Sequence, residues 1–175
     1  MSRPPLRFRW LGVRALGLAL IALALVATSA HGARPRPATG ANAVSAGAFI
    51  RTVLDLRMSR RYAHLYSKLH PAQQAFISRD QFIACENHRD EAYGLTVKLV
   101  AFKLIKSFEQ TIFIPGTRQR VESTAAKYKY TVRTAGGSTF SITDDSHAVR
   151  VNGLWKWLVT KKDASAYKAG RCRIT

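Results

Sequence analysis

The chain has 175 residues, which suits one domain plus a targeting segment. With 47% hydrophobic and 22% charged residues, its composition is that of a globular chain rather than a low-complexity one. A formal net charge of +18 excludes a neutral surface: so basic a protein is drawn to phosphate-rich polymers, anionic lipid headgroups or acidic cell-wall polymers, unless the charge serves solubility alone.

Residues 1–14 carry Arg3, Arg7, Arg9 and Arg14 and no acid. An unbroken apolar run, ALGLALIALALVA, fills 15–27, and Thr28-Ser29-Ala30 follows with small side chains. This three-part plan predicts a secretory signal peptide over 1–30, cleaved between about Ala30 and Ala33. The run is shorter than the ~20 residues of a comfortable transmembrane helix, and an uncleaved signal anchor is the alternative. No Arg-Arg pair marks a twin-arginine signal, and no cysteine follows the run to carry a lipid. Without the four arginines the chain still holds +14. Residues 31–42 read as a linker, because Arg-Pro-Arg-Pro disfavours helix and offers nothing to bury. The folded domain is expected over 43–175.

Residues 43–59 predict an amphipathic helix with Phe49, Val53 and Leu56 on one stripe. Tyr62, Leu65, Tyr66 and Leu69 repeat at helical spacing, and Pro71 ends or kinks that second helix. Ser78-Arg79-Asp80-Gln81 is a capping box, which starts a third helix running to about Asn87. Residues 88–93 read as polar connection. His64 and His70 read as surface positions.

From Leu95 the period changes from helix to strand. Residues 96–108 and 110–114 are β-rich, and Pro115-Gly116 is a turn. In the second half of 121–133, Tyr128, Tyr130 and Val132 alternate with Lys127, Lys129, Thr131 and Arg133, which places one face on a core and one in water. Gly136-Gly137 makes the next hairpin. Residues 139–142 and 147–151 read as one strand interrupted by a bulge at Asp144-Asp145. Asn152-Gly153 suits a two-residue hairpin turn. After it, Trp155 and Trp157 fall on one face of a last strand, and two indoles need a cover, which the helical segment 43–88 supplies. The result is a four-stranded antiparallel meander with a basic tail over 164–175.

Cys85 and Cys172 are too few for a zinc site and form no CxxC. In an oxidising compartment each has only the other as partner, which predicts a disulfide that ties the tail down. Two separate buried thiols are the alternative. No cofactor or metal is expected.

The order of helix, short helix and capped helix, then a long antiparallel sheet closing on Gly153-Leu154-Trp155-Lys156-Trp157, resembles the nuclear transport factor 2-like superfamily. The resembling stretches are 48–82 and 128–159. The resemblance implies an α+β fold in which N-terminal helices pack in a strongly curved antiparallel sheet, a cystatin-like cone with a pocket at its wide end. Members include dehydratases, isomerases and cyclases, and many secreted ones are non-catalytic accessory domains, so the fold leaves function open.

Family enzymes place Asp, His or Tyr inside the cone. Here Asp145 and His147 share a face if their strand is regular, and a carboxylate beside an imidazole suits general acid/base work. A solvated bulge of turn formers is the plainer reading. Tyr62, Tyr66, Tyr128, Tyr130, Trp155 and Trp157 are candidates to line a pocket, or are plain core. There is no phosphate loop, HExxH or nucleophile elbow. Basic residues cluster at Lys98, Lys103 and Lys106; at Lys127, Lys129 and Arg133; at Lys156, Lys161 and Lys162; and at Lys168, Arg171 and Arg173. The second and third clusters include positions opposite the aromatic face, which predicts a cationic outer face. Because alternation separates the aromatics from the cations, base stacking is disfavoured and nucleic acid is an unlikely partner.

The function expected is thus a secreted or envelope-associated, non-catalytic binding domain with a basic surface. A cone-pocket lyase or isomerase is one alternative. A basic module held at the membrane by its anchor and binding anionic envelope polymers is another, and a homodimer through the sheet is a further partner to consider.

Overall fold

The computed structural model describes residues 35–38, 40–93, 97–170 and 172. The expected signal peptide or anchor over 1–30 lies outside them. Among the described residues no helix is long and apolar enough to cross a membrane.

Helix α1 (Gly40–Met58) starts ahead of the expected residue 43 and buries Ala46, Gly47, Ile50, Val53, Leu54 and Leu56. Gly47 sits where a Cβ would lie 3.1 Å from Leu104 Cδ2, so the missing side chain lets the helix approach the sheet. Helix α2 (Tyr62–Ser67) follows. Pro71 does not simply end it. It occupies the first turn of a new short helix, α3 (Pro71–Gln74), where its missing N–H costs no hydrogen bond. His70, expected at the surface, is buried and caps that helix: the Ala72 amide donates to His70 Nδ1 at 3.1 Å.

The capping box at Ser78 forms. The Gln81 amide donates to Ser78 Oγ at 3.2 Å, and the Ser78 amide donates to Gln81 Oε1 at 3.2 Å. The helix it opens, α4 (Arg79–Tyr93), runs well past Asn87. The stretch 88–93 looked like a connection because it is polar. It continues the helix because Arg89 and Asp90 find charged partners on other elements, and no glycine intervenes before Gly94.

The sheet is antiparallel throughout its five strands, in the order β1-β2-β3-β4-β5: β1 (Arg36–Pro37), β2 (Val97–Phe113), β3 (Arg120–Thr134), β4 (Thr139–Val151) and β5 (Leu154–Leu158). β1 corrects the reading of 31–42 as a mere linker: Arg36 and Pro37 pair with Glu109 and Phe108 at the edge of β2. An edge strand tolerates a proline. The bulge expected at Asp144-Asp145 is absent. β4 keeps regular register there, with Asp144 opposite Tyr128 and Asp145 opposite Lys127, and those cross-strand partners offset the poor strand propensity of aspartate. The register shifts fall in β2 instead, at Val100 and Ile105. The hairpin turn at Asn152-Gly153 has positive φ at both residues, 51° and 78°, as the two-residue turn requires.

Helix α1 lies across the sheet and touches β2, β3, β4 and β5, and α2 packs on α1 and α4, while Ala72 of α3 packs with Ile114, Val149 and Leu158. Phe49 of α1 stacks on Trp155, with ring centroids 6.4 Å apart, and the Arg57 guanidinium lies over Trp157 at 5.0 Å, so the two indoles are covered as expected. The outer edge of β5 is also closed: the His70 amide donates to the Trp157 carbonyl at 2.9 Å, and the Trp157 amide to the Lys68 carbonyl at 2.7 Å.

The basic tail is not shapeless. Thr160 caps α5 (Lys161–Lys168), accepting from the Asp163 amide at 3.1 Å, and Tyr167 is fully buried against Phe82. Cys85 and Cys172 are joined by a disulfide, with Cα atoms 4.8 Å apart. The sequence signal for α5 was present in Thr160-Lys161-Lys162-Asp163, a capping pattern at the start of a short amphipathic run.

Candidate functional site

The outer face of the sheet is built by arithmetic on β2. Lys98, Lys103 and Lys106 are separated by odd intervals, so a regular strand would throw Lys103 to the face opposite Lys98 and Lys106. Each of two bulges adds one residue and resets the alternation. After the first, Ala101 is opposite Thr131 and Lys103 opposite Lys129. After the second, Lys106 is opposite Lys127. With Lys98 opposite Arg133, all three lysines join Lys127, Lys129 and Arg133 on one face, and all six are exposed. The inner-facing partners are Leu99, Phe102 and Leu104, which pack on the core with Tyr128, Tyr130 and Val132.

Three cross-strand pairs of like charge therefore stand in a row. Like charges directly opposite each other destabilise a sheet, each by about 0.2–1 kcal/mol. Asp145, opposite Lys127, is the acidic residue in register with them. Among the described residues none of the six cations takes part in an ion pair. The ion pairs present lie on the helical side, where Asp55, Glu86, Asp90 and Asp163 meet arginines. Four acids are thus engaged around the helices, and the outer face sets six cations against Asp145. Lys156, expected on the same face, does not contribute. It is half-buried and donates to the Ser67 carbonyl at 2.9 Å, beside a small apolar cluster of Ile114, Val149 and Leu158.

The interior holds a different arrangement, organised by Glu86, which sequence reasoning passed over. Its side chain is 2% exposed and accepts Arg57 Nε and Nη2 at 3.0 Å each, Arg89 Nη1 at 3.4 Å and the Tyr167 hydroxyl. Burial alone would raise the Glu86 pKa, but Arg57 and Arg89 outweigh it and hold the carboxyl below the usual carboxylate range. The available signal was weak: an acid next to Cys85 on a helix whose inner side had to face the core.

Two clefts open on either side of this cluster. One, of about 440 Å³, lies between Arg57, Glu86, Arg89 and the inner-face residues Tyr130, Phe140 and Asp144. The other, of about 540 Å³, lies between Ile50, Arg57, Tyr128, Asp144 and Trp157. Of the aromatic candidates, the structure brings Tyr128, Tyr130 and Trp157 to these clefts. Tyr128 donates to Asp144 at 3.4 Å, and burial together with Asp144 pushes its pKa up. Trp157 Nε1 donates to Ser146 Oγ at 2.9 Å. Trp155 lines a separate cleft of about 570 Å³ with Glu109, Glu122 and Arg150, and Tyr62 and Tyr66 lie elsewhere. Tyr62 donates to Asp90, and Tyr66 bonds the carbonyls of Gln74 and Ile77 at 3.1 and 2.9 Å. Trp155 lies between Phe49 and the Arg150 guanidinium, 4.5 Å away.

Asp145 and His147 do share the outer face, because β4 is regular there. They do not form a relay. His147 Nδ1 is 3.2 Å from Ser123 Oγ, and burial lowers its pKa against the pull of Asp145. Among the described residues no group of three or more His, Cys, Asp or Glu side chains is placed to hold a metal ion. No family model matches the chain, and no curated protein matches it.

Proposed function

We propose that this chain is an exported, non-catalytic domain of the cone-shaped nuclear transport factor 2-like kind, which binds closely spaced anionic groups of the cell envelope through the outer face of its sheet. The observation that carries this reading is the row of like-charged pairs Lys98–Arg133, Lys103–Lys129 and Lys106–Lys127. A face that serves solubility alone needs no such register, since scattered charges of both signs do that at lower cost. Two bulges are needed to assemble it, and a bound polyanion converts the mutual repulsion into attraction.

The Cys85–Cys172 bond supports export, because such bonds persist in oxidising compartments. Helix α1 lying across four strands of an antiparallel sheet supports the cone reading. Two arrangements support a non-catalytic role: Arg57, Arg89 and Glu86 satisfy one another, and Asp145 and His147, which both line the 540 Å³ cleft, are not bonded to each other, His147 Nδ1 being engaged with Ser123 Oγ.

The test is retention on immobilised dextran sulfate at rising salt. The parent chain should elute at a higher salt concentration than Lys127→Glu/Lys129→Glu/Arg133→Glu. Equal elution of the two would remove the proposed role of this face.

A further inference from the structure

We propose that the anionic partner of this face is a lipid bilayer, and that Val100 and Ile105 enter its headgroup region while the surrounding cations hold the phosphates. This rests on the cationic-face reading and specifies its partner.

The residues inserted at the two bulges are the starting point. Both are apolar and β-branched, and both are exposed, Val100 by 41% and Ile105 by 49%. Neither belongs to a hydrophobic cluster of the domain. At such a bulge the extra residue and its successor oppose one residue of the partner strand. Val100 and Ala101 thus oppose Thr131, and Ile105 and Lys106 oppose Lys127. Both apolar side chains therefore stand on the lysine face, one between Lys98 and Lys103, the other between Lys103 and Lys106.

A soluble polyanion would engage the cations and leave these two side chains in water. A bilayer surface engages both: cations meet the phosphates, apolar tips pass between headgroups, and lysine stems lie along the boundary with their ammonium groups in water. A second copy of the chain fits poorly, because a two-fold contact through this face would set the six cations against themselves. Nucleic acid lacks a reason for the aliphatic residues, and Phe108, on the same face, is half-buried with the Lys106 ammonium 5.9 Å over its ring, so it is no open platform for a base.

The experiment uses the full chain and its variants, so that the apolar run at 15–27 contributes equally to each. Binding is measured to vesicles of phosphatidylglycerol with phosphatidylcholine, to vesicles of phosphatidylcholine alone, and to dextran sulfate. The parent should bind the anionic vesicles more tightly than the neutral ones. Val100→Ser/Ile105→Ser should reduce that preference by on the order of tenfold and leave dextran sulfate binding unchanged. In Ile105→Trp, the emission gained over the parent should shift to the blue on anionic vesicles and not on dextran sulfate. Unchanged vesicle preference in the serine variant, or no shift in the tryptophan variant, overturns the insertion. Binding to dextran sulfate without any preference for anionic vesicles overturns the bilayer and leaves the cationic-face reading standing. Binding to neither probe overturns both.

Discussion

Reversing the charge of Lys129 and Arg133 together should stabilise the domain while weakening its attachment. Lys129 faces Lys103 on one side and Thr143 on the other, and Arg133 faces Lys98 and Thr139, so no acid is disturbed. Lys129→Glu/Arg133→Glu turns two like-charged pairs into two opposite pairs. A like pair costs, and an opposite pair gains, about 0.2–1 kcal/mol, which makes the swing ~0.4–2 kcal/mol per pair. Exposure and salt favour the lower half of that range, so the total is about 1–2 kcal/mol. A domain of about 140 residues unfolds with an entropy of about 0.3 kcal/mol/K, which converts the gain to roughly 3–7 °C in Tm. Thermal unfolding followed by circular dichroism at 50 and 500 mM salt measures it. The gain should shrink at the higher salt, and dextran sulfate retention should fall in the same variant. A Tm that drops or stays constant with native secondary structure intact would refute the assigned register of these cations.

Other outcomes follow from the interior and the tail. Reducing Cys85–Cys172 releases a separation of 87 residues, and loop-closure entropy assigns that about 4.5 kcal/mol, or ~15 °C in Tm; a shift under a few degrees would show that buried Tyr167 already holds the tail. Glu86→Gln leaves Arg57 without its counter-charge and should cost about 3–5 kcal/mol in denaturant unfolding. Because the Glu86 pKa is depressed in the fold, its contribution is complete above the ordinary carboxylate range and fades as pH falls through the folded value. The parent should therefore lose stability in acid more steeply than Glu86→Gln, and parallel pH profiles would count against the ion cluster. Thr160→Ala removes the cap of α5 and should cost about 1 kcal/mol. Amide exchange in Ala164 and Tyr167 should speed up first.

Much of the fold was legible because local chemistry and tertiary packing agree. The capping box at Ser78 and the turn at Asn152-Gly153 name their own conformations, and the Tyr128-Tyr130-Val132 alternation names its own core face. The lysines of β2 were not legible in the same way. Which face a lysine takes depends on how many bulges precede it, and a bulge is fixed by the partner strand, not by KLVAFKLIKSF itself. Asp144-Asp145 misled in the opposite sense, since two turn formers look like a break until Tyr128 and Lys127 stand across from them. Glu86 was hidden because a buried carboxylate is recognisable only once Arg57, Arg89 and Tyr167, distant in sequence, are seen around it.

The margin of β2 has a bearing on how the chain keeps to itself. Among the described residues β1 and Ala38 cover only Ser107, Phe108 and Glu109, which leaves most of a long strand with its outer row of backbone amides and carbonyls unpaired. An edge of that length is a template on which another copy's strand could extend the sheet, and sheets extended in this way grow into aggregates. The kinks at Val100 and Ile105 break the even spacing that such an addition needs, and Lys98, Lys103 and Lys106 repel an identical neighbour. A version of β2 straightened by deleting both residues would keep Lys103 opposite Lys129 but lose the kinks, so it should self-associate more readily than the natural chain.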